Sequence, residues 1–371
     1  MKLLIAAGGT GGHINPGISI AEAVRVRWPQ SDILFVCSQR EIEERIYTRK
    51  GLSFIKTGAR GMRPGIAGKI VFLWAFAVSI FESVAIIRRF RPDIVLGMGG
   101  YVSTPPVIAA RLCGVPALLH EQNSIPGKAN RLAARYATAV MTGFPAAAAW
   151  FGGKKVVFTG NPIRTGLCDA RAADGYERFS FTPGVFTVLV VGGSQGAVAL
   201  NERAVGAFGI LQERGCRFQV VHMAGKARDQ VSAAYAAKGI VAHCETYFED
   251  IGLAYRTADL VISRAGAIAL AEIAAFAKPS ILVPYPHSAD GHQLANARYL
   301  ADGAAAVVME ESALTDETLA ERIYAFYSDG GMRERYGANS GRLAVRDAQA
   351  RVIEVVNEVM NKAVHTHVGR D

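Results

Sequence analysis

The residues in this chain best placed to do chemistry are Gly8-Gly9-Thr10-Gly11-Gly12-His13. They follow the apolar run Leu3-Leu4-Ile5-Ala6-Ala7 and precede a helical pattern expected to begin near Asn15-Pro16, so they read as a turn between a strand and a helix. Glycines leave backbone N–H groups uncovered, and a helix start adds about half an elementary positive charge, a combination that suits an anion, usually a phosphate. The alternative is a tight turn with no ligand.

A second turn of the same kind, Gly192-Gly193-Ser194-Gln195-Gly196-Ala197, follows the strand 186–191 and precedes a helix carrying Asn201. Further on, the strand 258–263 leads through Arg264-Ala265-Gly266 into a helix at 267–277 that carries Glu272. The neighbours of Glu272 are almost all apolar, so an unpaired charge there would be costly; accepting both hydroxyl hydrogens of a ribose is one use, a solvated helix face the other. Gln293 and Asn296 follow the loop 287–292 and are placed to reach sugar hydroxyls, while His120-Glu121-Gln122-Asn123 sits at the carboxyl end of the strand 117–119. Polar groups just past strand ends are where open α/β sheets bind ligands.

The elements that position these residues repeat. Strand, glycine turn, helix, proline and strand occur near 93–119 and again near 258–284, and the two glycine-rich openings match as well. Two similarly built Rossmann-like halves follow from that duplication. The divisions expected are 1–162, 163–343 and a carboxyl-terminal helix with its tail at 344–371, which could pack back on the first half; His365-Thr366-His367 is expected to fray.

With 371 residues, half of them apolar and a fifth charged, the chain can bury a large core in two or three domains. Its five cysteines lie apart with no metal-ligating spacing, which suits free thiols in a reducing compartment. The amino terminus enters a strand at once and has no signal-peptide pattern, so a cytoplasmic location is expected. Residues 1–160 hold 20 Lys and Arg against 8 Asp and Glu, whereas the remainder holds 21 against 24. The basic first half would suit nucleic acid, an anionic membrane surface or a phosphorylated substrate.

Residues 70–87 are apolar apart from Ser79, Glu82 and Ser83. Glu82 and the short run ahead of Ser79 argue against a spanning helix. Two readings remain: a buried crossover helix, or a segment lying on a membrane with Phe72, Trp74 and Phe76 inserted and Lys69, Arg88 and Arg89 among its basic flanks. A dehydrogenase is disfavoured, because neither glycine turn has GxGxxG spacing and the strand 32–37 ends in Cys37-Ser38-Gln39-Arg40 without a ribose-binding acid. A nucleotide sugar fits better.

Six stretches in order, GGTGGH at 8–13, GMGGYVS at 97–103, HEQN at 120–123, GNPIR at 160–164, GGSQGA at 192–197 and SRAGAIALAE at 263–272, resemble the MurG family of N-acetylglucosaminyltransferases. The resemblance implies an α/β, GT-B fold of two Rossmann-like domains with parallel sheets facing a central cleft. It implies inverting transfer of N-acetylglucosamine from UDP-N-acetylglucosamine to the C4 hydroxyl of the muramoyl sugar of undecaprenyl-linked lipid I, giving lipid II. In matching positions Ser194, with Gln195 and Gly196, would meet the donor diphosphate, Glu272 the ribose, Gln293 the sugar, and Phe248 the uracil through its backbone. Thr10, Gly11, Gly12, Asn123, Arg164, Ala267 and Ile268 complete the implied donor set. Gly9, Thr10, Gly11, Gly12, Gly99, Gly100 and Tyr101 are expected around the acceptor diphosphate.

His13 is then the expected general base, with His120 and Glu121 as second choices for acid, base or positioning work. No Asp-x-Asp pair is present, so amides of Gly193 to Ala197 are expected to stabilise the leaving diphosphate without a metal or other cofactor. A lipid-linked acceptor also favours the membrane reading of 60–91, with peripheral attachment to the anionic cytoplasmic face and no nucleic-acid partner. An epimerase acting on UDP-N-acetylglucosamine and a non-catalytic UDP-sugar-binding membrane protein are the rivals.

Overall fold

The computed structural model describes residues 1–368 except Thr10, Met62, Arg63, Ser194 and Gln195, with side chains as far as Lys362. The chain forms two compact units, Met1–Arg164 with Asp347–Asp371, and Thr165–Arg346.

In the first unit the strands β1 (Lys2–Ala6), β2 (Asp32–Cys37), β3 (Phe54–Lys56), β4 (Ile94–Gly97), β5 (Ala117–Glu121), β6 (Ala139–Thr142) and β7 (Lys155–Phe158) form one parallel sheet, ordered β3-β2-β1-β4-β5-β6-β7. The connecting helices are α1 (Gly11–Arg27), α2 (Glu41–Arg49), α3 (Ile66–Phe90), α4 (Gly100–Leu112) and α5 (Lys128–Ala134). From Leu3 onward β1 is apolar because both its faces are covered: Leu3 and Ile5 enter one core, Leu4 and Ala6 the other.

The second unit repeats the plan. β8 (Phe186–Val191), β9 (Phe218–Met223), β10 (Ala242–Glu245), β11 (Leu260–Ser263), β12 (Ser280–Leu282) and β13 (Ala306–Val308) are ordered β10-β9-β8-β11-β12-β13. Its helices are α6 (Ala172–Phe179), α7 (Val198–Glu213), α8 (Arg228–Ala237), α9 (Ile251–Thr257), α10 (Ala267–Ala275), α11 (His292–Asp302), α12 (Asp316–Ser328) and α13 (Gly330–Leu343). The duplication extends to single hydrogen bonds. Pro116 O accepts from Val95 N at 3.0 Å, and Pro279 O from Val261 N at 3.1 Å. Asp93 Oδ2 accepts from Lys2 N at 2.7 Å, and Asp259 Oδ2 from Thr187 N at 2.8 Å.

The last helix, α14 (Ala348–Val368), packs Val352, Val355, Val356 and Val359 into the core of the first unit beside α1. It runs through the stretch expected to fray. α1 also reaches further back than expected: like α4 it starts five residues before its first proline, at Gly11 as α4 does at Gly100, and the two helices keep Pro16, and Pro105 with Pro106, inside. Each such proline omits one helical hydrogen bond near the first turn. All five cysteines are free thiols, and burial pushes Cys37 up to about 12 and Cys244 up to about 11.

Beneath the second glycine turn lies a buried polar chain. The Tyr235 hydroxyl and His222 Nδ1 are 2.9 Å apart, His222 Nε2 and Asn201 Oδ1 3.0 Å, and Asn201 Nδ2 donates to Ala224 O at 3.0 Å. These contacts set a neutral imidazole with the proton on Nε2. Burial lowers the His222 pKa to about 3. An unfolded histidine titrates near 6.5, so the stability held by the neutral ring is present above about pH 6.5 and is lost progressively as pH falls toward 3. Urea midpoints should therefore drop between pH 7 and pH 4.5, and His222→Gln should flatten that drop; an unchanged slope in the variant would show that the buried ring is not its source.

Candidate functional site

Each sheet reverses its strand order between its first and fourth strands in sequence, at β1/β4 and at β8/β11. Outside the carboxyl ends of such a pair, neighbouring connections diverge and leave a crevice. The glycine-bearing turns after β1, β4, β8 and β11 fall at these two places, while HEQN lies at the end of β5 and GNPIR follows β7.

At β1/β4 the two expected anion turns come together around one side chain. Gly99 and Gly100 have φ of +100° and +74°, and a Cβ on Gly99 would stand 3.1 Å from His13 Cδ2 and 3.0 Å from Asn130 Nδ2. One on Gly100 would stand 3.4 Å from His13 Cε1. The half-buried imidazole of α1 thus lies against bare backbone at the start of α4, a seat that side chains would fill. The Gly99 cap gives α4 no side-chain hydrogen bond, and a helix start of that kind suits an anion. Tyr101 follows, its ring facing Gly61 in the stretch ahead of α3.

Gly9 departs from expectation. Its N–H donates to Glu43 Oε1 at 2.6 Å, so this amide is already engaged on the inner side of the turn and is not presented to an anion. Gly11 and Gly12 open α1 and remain half-exposed. Thr10 lies outside the described residues. Glu43 was not singled out from the sequence; it sits in a charged helix, and only the fold shows that it is fully buried under the turn.

His120 and Glu121 end β5 and are buried. His120 Nε2 faces Gly160 O at 3.1 Å and its Nδ1 faces Gln122 Nε2 at 3.0 Å, while burial lowers its pKa to about 4, so it is a neutral ring with both nitrogens engaged. Glu121 accepts from Asn123 N at 2.8 Å, Asn130 Nδ2 at 2.7 Å, Asn123 Nδ2 at 3.3 Å and Gly127 N at 3.3 Å. Burial raises its pKa and these donors pull it back. With its lone pairs spent on the 123–130 loop, Glu121 orients Asn123 and has little left for proton transfer. The backbone beside Arg164 is pinned because Ile163 O accepts from Ser19 Oγ at 2.5 Å and from Gln349 Nε2 at 2.8 Å.

At β8/β11, Gly196 has φ of +74°, and a Cβ there would lie 2.9 Å from Ala224 O. Ser194 and Gln195 lie outside the described residues. α7 and α10 begin at Ala197 and Gly266 caps that supply no side-chain hydrogen bond. Uncapped helix starts of this kind suit an anion, and Ala267 and Ile268 open α10. Glu272 is buried, and its partner, missed from sequence, is Tyr255, whose hydroxyl donates to Oε2 at 3.2 Å. Asn296 departs from the expected sugar contact: fully buried, it donates to Ala265 O at 3.2 Å and holds the 264–266 turn. Gln293 Oε1 accepts from Tyr285 N at 2.9 Å, which leaves its NH2 side for a sugar hydroxyl. Phe248 is buried against Phe179 and His243, so only its backbone is available to a base. Among the described residues no three His, Cys, Asp or Glu side chains gather as a metal-ligating group.

α3 is amphipathic in reverse. Its buried residues, Ser79, Ser83 and Ile87, recur at i, i+4 and i+8. On another face Ile70, Trp74 and Phe81 are 62, 73 and 75 % exposed. Phe72 and Phe76 are half-buried and stack on each other at 5.9 Å, while Lys69, Arg88 and Arg89 are exposed. Glu82 does not interrupt the apolar face, because its carboxylate accepts from Gly58 N at 2.7 Å.

Family comparisons agree with this geometry. The glycosyltransferase family 28 N-terminal domain matches residues 3–142 and its C-terminal domain residues 187–352. A relative from Anaeromyxobacter dehalogenans, named UDP-N-acetylglucosamine--N-acetylmuramyl-(pentapeptide) pyrophosphoryl-undecaprenol N-acetylglucosamine transferase, is 40% identical over 98% of this chain and 94% of its own. The crystal structure of Acinetobacter baumannii MurG superposes with a TM-score of 0.76 at 27% identity, covering 96% of this chain and 99% of that one. A UDP-GlcNAc 2-epimerase from Neisseria meningitidis, at 13% identity and a TM-score of 0.66 over 96% of this chain and 100% of its own, shares the fold alone. Matched in both halves and across nearly its whole length, the chain has the two-domain GT-B fold and belongs to the MurG family of N-acetylglucosamine transferases within glycosyltransferase family 28.

Proposed function

We infer that the protein transfers N-acetylglucosamine from UDP-N-acetylglucosamine to the C4 hydroxyl of the muramoyl sugar of undecaprenyl-linked lipid I, giving lipid II for peptidoglycan. The observation that carries this is the near full-length match to curated transferases of that name, joined to a helix start without a side-chain cap at each switch point.

The second unit takes the donor. Amides at the starts of α7 and α10 receive the diphosphate, Glu272 accepts from the ribose hydroxyls while Tyr255 fixes its carboxylate, and Gln293 offers its NH2 side to the sugar. Departure of UDP builds negative charge on the diphosphate, and fixed amide dipoles stabilise it without reorganising. The first unit takes the acceptor, with its diphosphate at the Gly99-Gly100-Tyr101 start of α4. His13, seated against that start, removes the proton of the C4 hydroxyl as its oxygen attacks the anomeric carbon, and inversion follows from the single displacement. His120 and Glu121 serve by holding the β5 end in place.

The acceptor's lipid requires a membrane surface. α3 meets it lying flat, since its serine face is packed into the protein and the apolar face is outward. Between Ile66 and Val78 no residue is buried, a length of about 20 Å at 1.5 Å per residue, short of the roughly 30 Å hydrocarbon core. Attachment is therefore peripheral, on the cytoplasmic face, with Lys69, Arg88 and Arg89 near anionic headgroups.

Incubated with UDP-N-acetylglucosamine and a soluble lipid I analogue, the purified protein should release UDP and form disaccharide only when acceptor is present; epimer formation from the donor alone would favour the epimerase reading instead. His13→Ala should lower kcat by about 10²-fold or more, within the range for loss of a general base, and turnover near the wild-type rate would move that role elsewhere. Trp74→Ser with Phe81→Ser should reduce sedimentation with anionic vesicles while UDP affinity stays unchanged; undiminished sedimentation of the folded variant would rule out α3 as the contact.

A further inference from the structure

We propose that Arg40, Glu43 and Tyr47, at the start and along one face of α2, form a clamp on the first glycine turn that sets the position of His13, making the three positioning residues for transfer. The proposal rests on the reading of His13 as base.

The three residues recur at i, i+3 and i+7, the spacing that stacks side chains on one side of a helix. All three reach backbone of the same short segment. The Tyr47 hydroxyl donates to Ala7 O at 2.6 Å, Gly9 N–H donates to Glu43 Oε1 at 2.6 Å, and Arg40 Nη1 donates to Gly9 O at 2.9 Å. Both peptide groups flanking the Gly9 Cα are thereby held. Glu43 is itself fixed, since Ser38 N donates to Oε2 at 2.7 Å and Ser38 Oγ to Oε1 at 2.8 Å.

A fully buried carboxylate is costly unless its oxygens are satisfied, and one lodged beneath the first glycine turn would also repel an anionic ligand bound nearby. It contributes no binding energy there, so its value lies in geometry. Gly9 is held at φ of +94°, and a Cβ at that position would stand 3.9 Å from His13 Nδ1. Gly8 O stands 3.7 Å from where a Gly100 Cβ would be, so the clamped backbone borders the imidazole seat. Gly8 itself has no room for a side chain, which would meet Glu43 Oε2 at 2.9 Å and Val102 Cγ2 at 2.8 Å. Releasing Gly9 therefore lets the His13 seat shift, and a displacement of about 1 Å is enough to cost a rate factor of up to about 10².

Arg40 is exposed, so Arg40→Ala should fold normally. In the UDP-release assay it should lower kcat on the order of tenfold while the donor KM stays within about twofold. Glu43→Gln keeps the side chain's size but cannot accept all of its hydrogen bonds, and it should show the same split with a larger loss. In a His13→Ala background Arg40→Ala should have no further effect, because the ring it positions is gone. Full kcat in folded Arg40→Ala and Glu43→Gln overturns the clamp, as does an undiminished Arg40→Ala effect in the His13→Ala background. If His13→Ala alone turns over like wild type, the base assignment fails; a depleted His13→Ala beside unaffected clamp variants leaves that assignment standing and rejects the clamp alone.

Discussion

Backbone meeting side chain or backbone at van der Waals distance, with no Cβ between, is the constraint on which both halves of this molecule depend. At β1/β4 the imidazole of His13 occupies the space that side chains on Gly99 and Gly100 would take. At β8/β11 Gly196 lies so close to Ala224 O that any Cβ would collide. The glycines cost chain entropy on folding, and they sit ahead of helix starts without a side-chain cap, the kind of backbone that suits an anion. The parallel strand order puts these turns at a switch point, and the turns can work there only because they are bare.

Around that backbone, buried polar side chains act as fasteners. Glu121 gathers the 123–130 loop, Asn296 holds the 264–266 turn, and His222 links α7, β9 and α8 through Asn201 and Tyr235. Each lies in a low-dielectric interior where an unmet hydrogen bond is expensive, so each enforces one loop geometry. Burial keeps His120 and His222 neutral.

α3 inverts the same accounting. Serines face inward, where Ser83 Oγ donates to Ser79 O at 2.6 Å, and tryptophan and phenylalanine face out. That arrangement is unfavourable in water and favourable against lipid.

Much of the architecture was legible in the chain. The apolar strands, the glycine turns, the duplicated strand-turn-helix-proline-strand unit and the motif order all follow from short-range rules of periodicity and turn chemistry, which act between residues near in sequence. The family could be named from six motifs. What could not be read were the partners brought from afar: Glu43 on Gly9, Tyr255 on Glu272, Gly58 on Glu82, and the His13 seat against Gly99 and Gly100. For the same reason Gly9 was expected to bind an anion and Asn296 a sugar, since the sequence shows which groups can form hydrogen bonds but not which are already used. Residue type and spacing determined the fold class and the chemistry on offer. Only tertiary packing decided which of those groups are left free to meet a substrate, because burial and pairing depend on distances across the chain that no local pattern encodes.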